Sequence, residues 1–82
     1  MASHDLLQGL ALLESGDWNG ARAIAQADQS DLGAWLRGIV HLVEPDQANA
    51  MYWYRRAGFS FPGMSAAASE IAAMRAALTA PR

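Results

Sequence analysis

The sequence lacks cysteine and lysine, and each absence narrows what the protein can be. Without cysteine, a chain of 82 residues has neither disulfide bridges nor thiolate metal ligands, and a reducing compartment is permitted. All six basic residues are arginine, which together with abundant alanine is typical of GC-rich bacterial genomes. The formal net charge of −2 argues against a surface for nucleic acid or for an anionic membrane.

Long hydrophobic runs are missing as well. The stretches 10–13 and 39–43, the second of which contains His41, are far shorter than the roughly 20 residues that a membrane-spanning helix needs. No positively charged segment precedes the first apolar residues, where His4 and Asp5 stand instead, so a secretory signal is not indicated. Because 52% of the residues are hydrophobic, the composition also argues against disorder. We therefore expect a folded, soluble, cytoplasmic protein that does not enter a membrane.

Strand-like alternation is absent, and the hydrophobic residues recur at helical spacing instead. Gly16, Pro45 and Gly58 interrupt this pattern at points where helices end or begin. The chain is thus predicted to be all-α. Its five predicted helices cover residues 3–14, 18–27, 31–43, 47–57 (or 46–57) and 64–80.

The first and third predicted helices share an apolar face. A chain this short needs all its apolar surface for the core, so we expect the fifth helix to cover that face with an apolar seam of its own. The alternative is an open groove that binds a hydrophobic partner. The face consists of Leu6, Leu10, Leu13, Trp35, Ile39 and Leu42, and the seam consists of Met64, Ala67, Ile71, Met74 and Leu78.

The sequence also repeats itself. A shift that places Leu7 on Leu36 superimposes identical glycine, leucine, aspartate and alanine residues further along the chain. Such a period is typical of stacked helix–turn–helix units, none of which can bury its hydrophobic face alone. In each unit, the glycine is expected to let the second helix approach the first. The matching pairs are Gly9 with Gly38, Leu13 with Leu42, Asp17 with Asp46, and Ala21 with Ala50.

Five residues of the second unit have the spacing of the tetratricopeptide-repeat signature, namely Gly38, Ala50, Tyr54, Ala57 and Pro62. The fourth helix resembles the second helix of the Sel-like bacterial branch in particular. In the first unit, Ala25 and Asp28 replace the aromatic residue and the alanine of the signature. The resemblance implies a single domain of two helix hairpins, over about residues 3–28 and 31–58, with a capping helix over about residues 64–80. The chain also resembles a family of small uncharacterised bacterial proteins, which implies no activity.

The end of the fourth helix combines aromatic and basic side chains. Tyr54 and Ala50 are predicted to face the third helix, which leaves the neighbouring residues more exposed. Such a patch suits a peptide, an acidic group or a nucleobase. The alternative is that the aromatic residues pack in the core and the arginines are solvated. The candidate partner-binding residues are Tyr52, Trp53, Arg55 and Arg56.

No catalytic, cofactor-binding or metal motif is present in the sequence. His41 lies in an apolar helix without the spacing of a metal site, which favours a structural role. Most carboxylates lie at predicted helix ends, where capping accounts for them. Glu70, in the fifth helix, is expected to be solvated and near Arg75.

Three functions follow as hypotheses. The leading one is a non-catalytic protein-interaction module that binds a protein partner or itself, without a cofactor. The alternative is a nucleic-acid-associated regulator that uses Arg22, Arg37, Arg55 and Arg56, against which the acidic charge balance argues. The third is a small enzyme, which would need a pocket with convergent polar groups around His41.

Overall fold

The computed structural model describes residues 2–80, and within this range it contains five helices and no strand. The all-α prediction is confirmed. The predicted helix bounds agree with the structure to within a residue, except at the start of the fifth helix. The helices are α1 (Ala2–Glu14), α2 (Trp18–Ala27), α3 (Asp31–Val43), α4 (Gln47–Ala57) and α5 (Ala67–Thr79).

The fifth helix begins three residues later than the sequence predicted. Gly63 adopts a left-handed φ of 100°, and the residues that follow it form a turn instead of helix. Met64 therefore lies before α5, although its side chain still packs against the core. The apolar seam thus extends into the segment that precedes α5.

Short polar side chains fix where three of the helices begin. Each one accepts a hydrogen bond from a backbone N–H in the first turn, which would otherwise have no partner. The sequence predicted this capping role for the aspartates. The three caps are Asp17 to Gly20, Ser30 to Gly33 and Asp46 to Asn49, at 2.9, 3.2 and 3.3 Å.

Helix α3 lies at the centre of the molecule and contacts each of the other four helices. Leu36, Ile39 and Val40 in this helix are completely buried. Helix α3 packs closely against α4 at Gly38, where a Cβ atom would lie 2.6 Å from Cδ1 of Tyr54. The glycine is thus required for the packing of these two helices, as the repeat predicted.

Helix α5 covers the apolar face that α1 and α3 share. All six residues of that face are buried, and α5 contributes the buried side chains of Ile71 and Met74. Trp35 retains 7% exposure and stacks against Phe59, with ring centroids 4.5 Å apart. The prediction that the fifth helix completes the core is therefore confirmed, and the face is not an open groove.

Of the helices in residues 2–80, none has both the length and the apolar character needed to cross a bilayer.

Candidate partner-binding cleft

The aromatic and basic segment of α4 distributes its side chains between the core and the surface. Tyr54 is completely buried, Trp53 is half-buried, and Tyr52 is 50% exposed. Arg55 and Arg56 are both exposed. Because successive helical residues are about 100° apart, burial of Tyr54 against α3 forces this division. Trp53 is left at the boundary between core and solvent.

A cleft of about 370 Å³ opens beside this boundary, over α3 and between the end of α2 and α4. Its floor contains the small side chains of Ala25 and Ala34. We call this space the arginine cleft, after Arg37 of α3 and Arg56 of α4. It is lined by Ala25, Gln26, Asp28, Gln29, Ser30, Asp31, Ala34, Arg37, Trp53 and Arg56.

One side of the arginine cleft is formed by Arg37, Trp53 and Arg56, which we call the arginine wall. The guanidinium carbon of Arg37 lies 3.9 Å from the centroid of the Trp53 ring. This is well inside the distance at which a cation is attracted to an aromatic face. The stacked indole therefore holds the Arg37 side chain in one position before any ligand arrives.

Among the described residues, no carboxylate forms an ion pair with the arginines of this wall. Among residues 2–80 the ion pair present is Arg75 with Glu14, and neither Arg37 nor Arg56 has such a partner. Within the same range, Nε of Arg37 is buried and makes no hydrogen bond. Burial, together with the charge of Arg22, lowers the pKa of Arg37 from its usual value, but a guanidinium remains protonated at neutral pH.

A second group of lining residues comes from the connection between α2 and α3 and from the first residue of α3, and we call Asp28, Gln29 and Asp31 the loop wall. Oδ1 of Asp28 accepts hydrogen bonds from the backbone N–H and the hydroxyl of Ser30, which fix the carboxylate. Its Oδ2 is buried without a partner among the described residues. Asp31 lies in the first turn of α3, where a negative charge is favoured. The two walls thus have opposite charge.

The structure brings together only part of the patch proposed from the sequence. Trp53 and Arg56 line the cleft directly. Tyr52 does not line the cleft, but its ring meets that of Trp53 in a T-shaped contact with centroids 4.9 Å apart. Arg55 does not line the cleft.

Arg37 is a basic residue of the cleft that was not predicted to belong to the patch. Tyr54 was predicted to face α3, but no residue of α3 was predicted to lie against Trp53. In the structure Gly38 packs against Tyr54, and the residues that precede them, Arg37 and Trp53, meet at 3.9 Å.

The expectation that Glu70 is solvated near Arg75 is wrong. Oε1 of Glu70 accepts a hydrogen bond of 3.0 Å from Nε1 of Trp35 and one of 2.7 Å from the hydroxyl of Tyr54. Arg75 instead pairs with Glu14 across α1 and α5. The sequence could not show this because the contacts depend on how α5 lies over α3 and α4.

His41 is buried, with 7% exposure, and it does not line the arginine cleft. Burial lowers its pKa, while the charges of Asp46 and Glu44 act weakly in the opposite direction. Its Nδ1 has no hydrogen-bond partner among the described residues.

Compared with known proteins, the chain has no significant match among family models, curated sequences or solved structures. The resemblance to tetratricopeptide and Sel-like repeats therefore stays a prediction that rests on the residues named for it.

Proposed function

We propose that the chain is a non-catalytic protein-interaction module that holds its partner at the arginine cleft. The observation that carries this proposal is the Arg37 guanidinium, stacked on Trp53 beside Arg56 and unpaired with any described carboxylate. Tryptophan and arginine are the residue types that contribute most to binding energy in protein interfaces. Tyr52, half exposed beside Trp53, extends the contact surface.

The repeat interpretation supports the same proposal. We infer that α1 with α2 and α3 with α4 are tetratricopeptide-like hairpins, and that α5 is their capping helix. In each pair a glycine of the first helix lies near a side chain of the second, Gly38 against Tyr54 and Gly9 beside Ile24, although the atom nearest to Gly9 belongs to Leu36 of α3. Because α5 occupies the face of α1 and α3, a partner would bind on the side of α2 and α4 instead. A bacterial cytoplasm, as a reducing compartment, suits a chain without cysteine.

Nucleic acid has weaker support as the partner. A base that stacks on Trp53 would have to share the ring with Arg37, whose guanidinium already covers one face. The carboxylates of the loop wall would repel a phosphate backbone. Arg22, a further candidate, is engaged with Asn19 and lies over the ring of Trp18.

Affinity capture from a lysate of the source organism, with matched variants, tests the proposal. We expect wild-type protein and Arg55→Ala to retain the same set of proteins, because Arg55 lies outside the cleft. The double variant Trp53→Leu with Arg56→Ala should lose that set while it keeps the wild-type helical circular-dichroism spectrum. Retention of an identical set by the double variant would overturn the proposal.

Self-association is distinguished by light scattering. If the partner is a second copy of the chain, the wild type should have a dimeric mass and the same double variant a monomeric mass. A monomeric wild type that also captures nothing from the lysate would contradict the proposed function.

A further inference from the structure

We propose that the arginine cleft recognises a carboxylate group of an acidic peptide segment, and that it selects a carboxylate over a phosphate. This inference rests on the proposed function and specifies the chemistry of its partner. The carboxylate lies against the arginine wall, and polar hydrogens of the peptide backbone face the loop wall. Three features of the cleft support this assignment.

The first feature is the preorganised cation. A guanidinium presents its N–H groups in a planar fork that matches the two oxygens of a carboxylate. The ring of Trp53 occupies the face of the Arg37 guanidinium, at 3.9 Å, so its edges are the part that can donate hydrogen bonds. Arg56, an exposed residue of α4 that also lines the cleft, adds a second positive charge. Because Arg37 is already held against Trp53, it loses less side-chain entropy on binding than a freely moving arginine would.

The second feature is the negative loop wall. Asp28 and Asp31 bring two carboxylates into a cleft that also has two arginines, so the formal charge of the lining is zero. A phosphate group carries about −1.5 to −2 at neutral pH, so its stronger attraction to the arginines is offset by stronger repulsion from Asp28 and Asp31, while its removal from water costs more than that of a singly charged carboxylate. A peptide backbone, in contrast, offers N–H donors to the carboxylate and amide oxygens of this wall. The combination favours a ligand with one negative charge and nearby donors.

The third feature is the size of the space. The cleft volume of about 370 Å³ lies at the lower end of the range for small-ligand sites, roughly 300–1,000 Å³. It accommodates one acidic side chain or chain terminus with its adjacent peptide group, and not an extended strand or helix. The remaining peptide then runs past the exposed ring of Tyr52.

A carboxylate can come from an internal glutamate or aspartate side chain or from a free chain terminus. Four fluorescent peptides of one common uncharged sequence separate these sources: an amidated peptide, an amidated peptide with one internal glutamate, a peptide with a free terminal carboxylate, and an amidated peptide with phosphoserine. Fluorescence anisotropy measures their binding to the full chain at low ionic strength. We expect binding of the glutamate peptide, of the free-terminus peptide or of both, and weaker binding of the other two.

Matched variants then assign the binding to the cleft. Arg56→Ala should weaken binding of the carboxylate peptide about ten- to a hundredfold, because it removes a charge-assisted contact. Arg37→Lys keeps the charge but loses the planar fork, so it should weaken binding as well. Arg55→Ala, at the adjacent exposed position, should leave the dissociation constant unchanged. Thermal melting of each variant verifies that it is folded.

Three results would overturn the inference. They are tighter binding of the phosphoserine peptide than of the glutamate peptide, equal losses from Arg55→Ala and Arg56→Ala, and no binding of any carboxylate peptide at about 1 mM. If carboxylate peptides fail to bind but protein capture still depends on Trp53 and Arg56, the inference is wrong and the proposed function stands. If capture fails as well, both are wrong.

Discussion

Tyr54 of α4 and Glu70 of α5 are joined by a hydrogen bond of 2.7 Å between the phenol oxygen and Oε1. The same carboxylate oxygen accepts the indole N–H of Trp35 in α3. Burial and the hydrogen bond to Glu70 together raise the pKa of Tyr54, so the phenol stays protonated and continues to donate. One carboxylate therefore connects three helices.

Glu70→Ala should destabilise the fold markedly. It leaves the hydroxyl of Tyr54 and the N–H of Trp35 without their acceptor, at a cost of about 2–4 kcal/mol for two part-buried hydrogen bonds to a charged group. Urea unfolding followed by tryptophan fluorescence measures the loss. Glu14→Gln is the control, because its exposed ion pair with Arg75 should contribute little. Equal losses in the free energy of unfolding from the two variants would contradict a stabilising role for the hydrogen bonds that Glu70 makes to α3 and α4.

Trp35→Ala should cost about 3–5 kcal/mol, which is enough to unfold much of a domain this small. The residue is buried, stacks on Phe59 and donates to Glu70, so the substitution removes packing and a hydrogen bond together. Trp35→Phe, which retains most of the ring, should be milder. Thermal unfolding followed by far-ultraviolet circular dichroism compares them. A melting temperature of Trp35→Ala close to that of the wild type would contradict the buried placement.

Gly38→Ala should destabilise the protein although alanine favours helix. The new methyl group would lie 2.6 and 2.7 Å from two carbons of the Tyr54 ring, so α3 and α4 must move apart. We expect a net loss of about 1–3 kcal/mol, as for other overpacked cores. A double-mutant cycle with Tyr54→Leu checks the cause, since the two losses should not add if the ring is the obstacle. Additive losses would mean that the strain introduced by Gly38→Ala arises from a contact other than the one with the Tyr54 ring.

Protonation of His41 should weaken the fold in mild acid. Burial lowers the pKa of His41 in the folded chain below the ordinary value of 6.5, and the charges of Arg37 and Arg22 act in the same direction. The unfolded chain therefore takes up its proton first as the pH falls. The stability contribution is complete above pH 6.5 and is lost as the pH falls through the folded-state value.

Urea unfolding at a series of pH values measures this effect. The variant His41→Gln, which cannot be protonated in this range, should flatten the dependence just below pH 6.5. An unchanged pH dependence in His41→Gln would show that another group is responsible.

The helices, the caps Asp17 and Asp46, and the packing of Tyr54 against α3 could be predicted because each depends on residues close together in sequence or on the repeat. The burial of the shared face of α1 and α3 could be predicted from the need of a short chain for a core. The role of Glu70 could not, since one charged residue in a helix gives no sign of which distant donors it will meet. The α5 boundary was also missed, because the apolar seam continued through Met64 while the left-handed Gly63 delayed the helix.

The candidate site likewise combines residues that could be predicted from the sequence with residues that could not. Trp53 and Arg56 were selected because an aromatic and basic segment is conspicuous in the sequence. Arg37 was considered only as a scattered basic residue, and Asp28 only as a helix-end carboxylate. Their meeting in one cleft depends on α2 and α4 both packing on α3, which is a property of the tertiary structure.

The central position of α3 has a consequence for the order of folding. Most helix contacts join neighbours in sequence, namely α1 with α2, α2 with α3 and α3 with α4, so this part has low contact order and should form rapidly. The contact of α5 with α1 closes the longest loop. We therefore expect φ-values near one in α3 and near zero in α5. Substitutions in α5 should then accelerate unfolding and leave the folding rate almost unchanged.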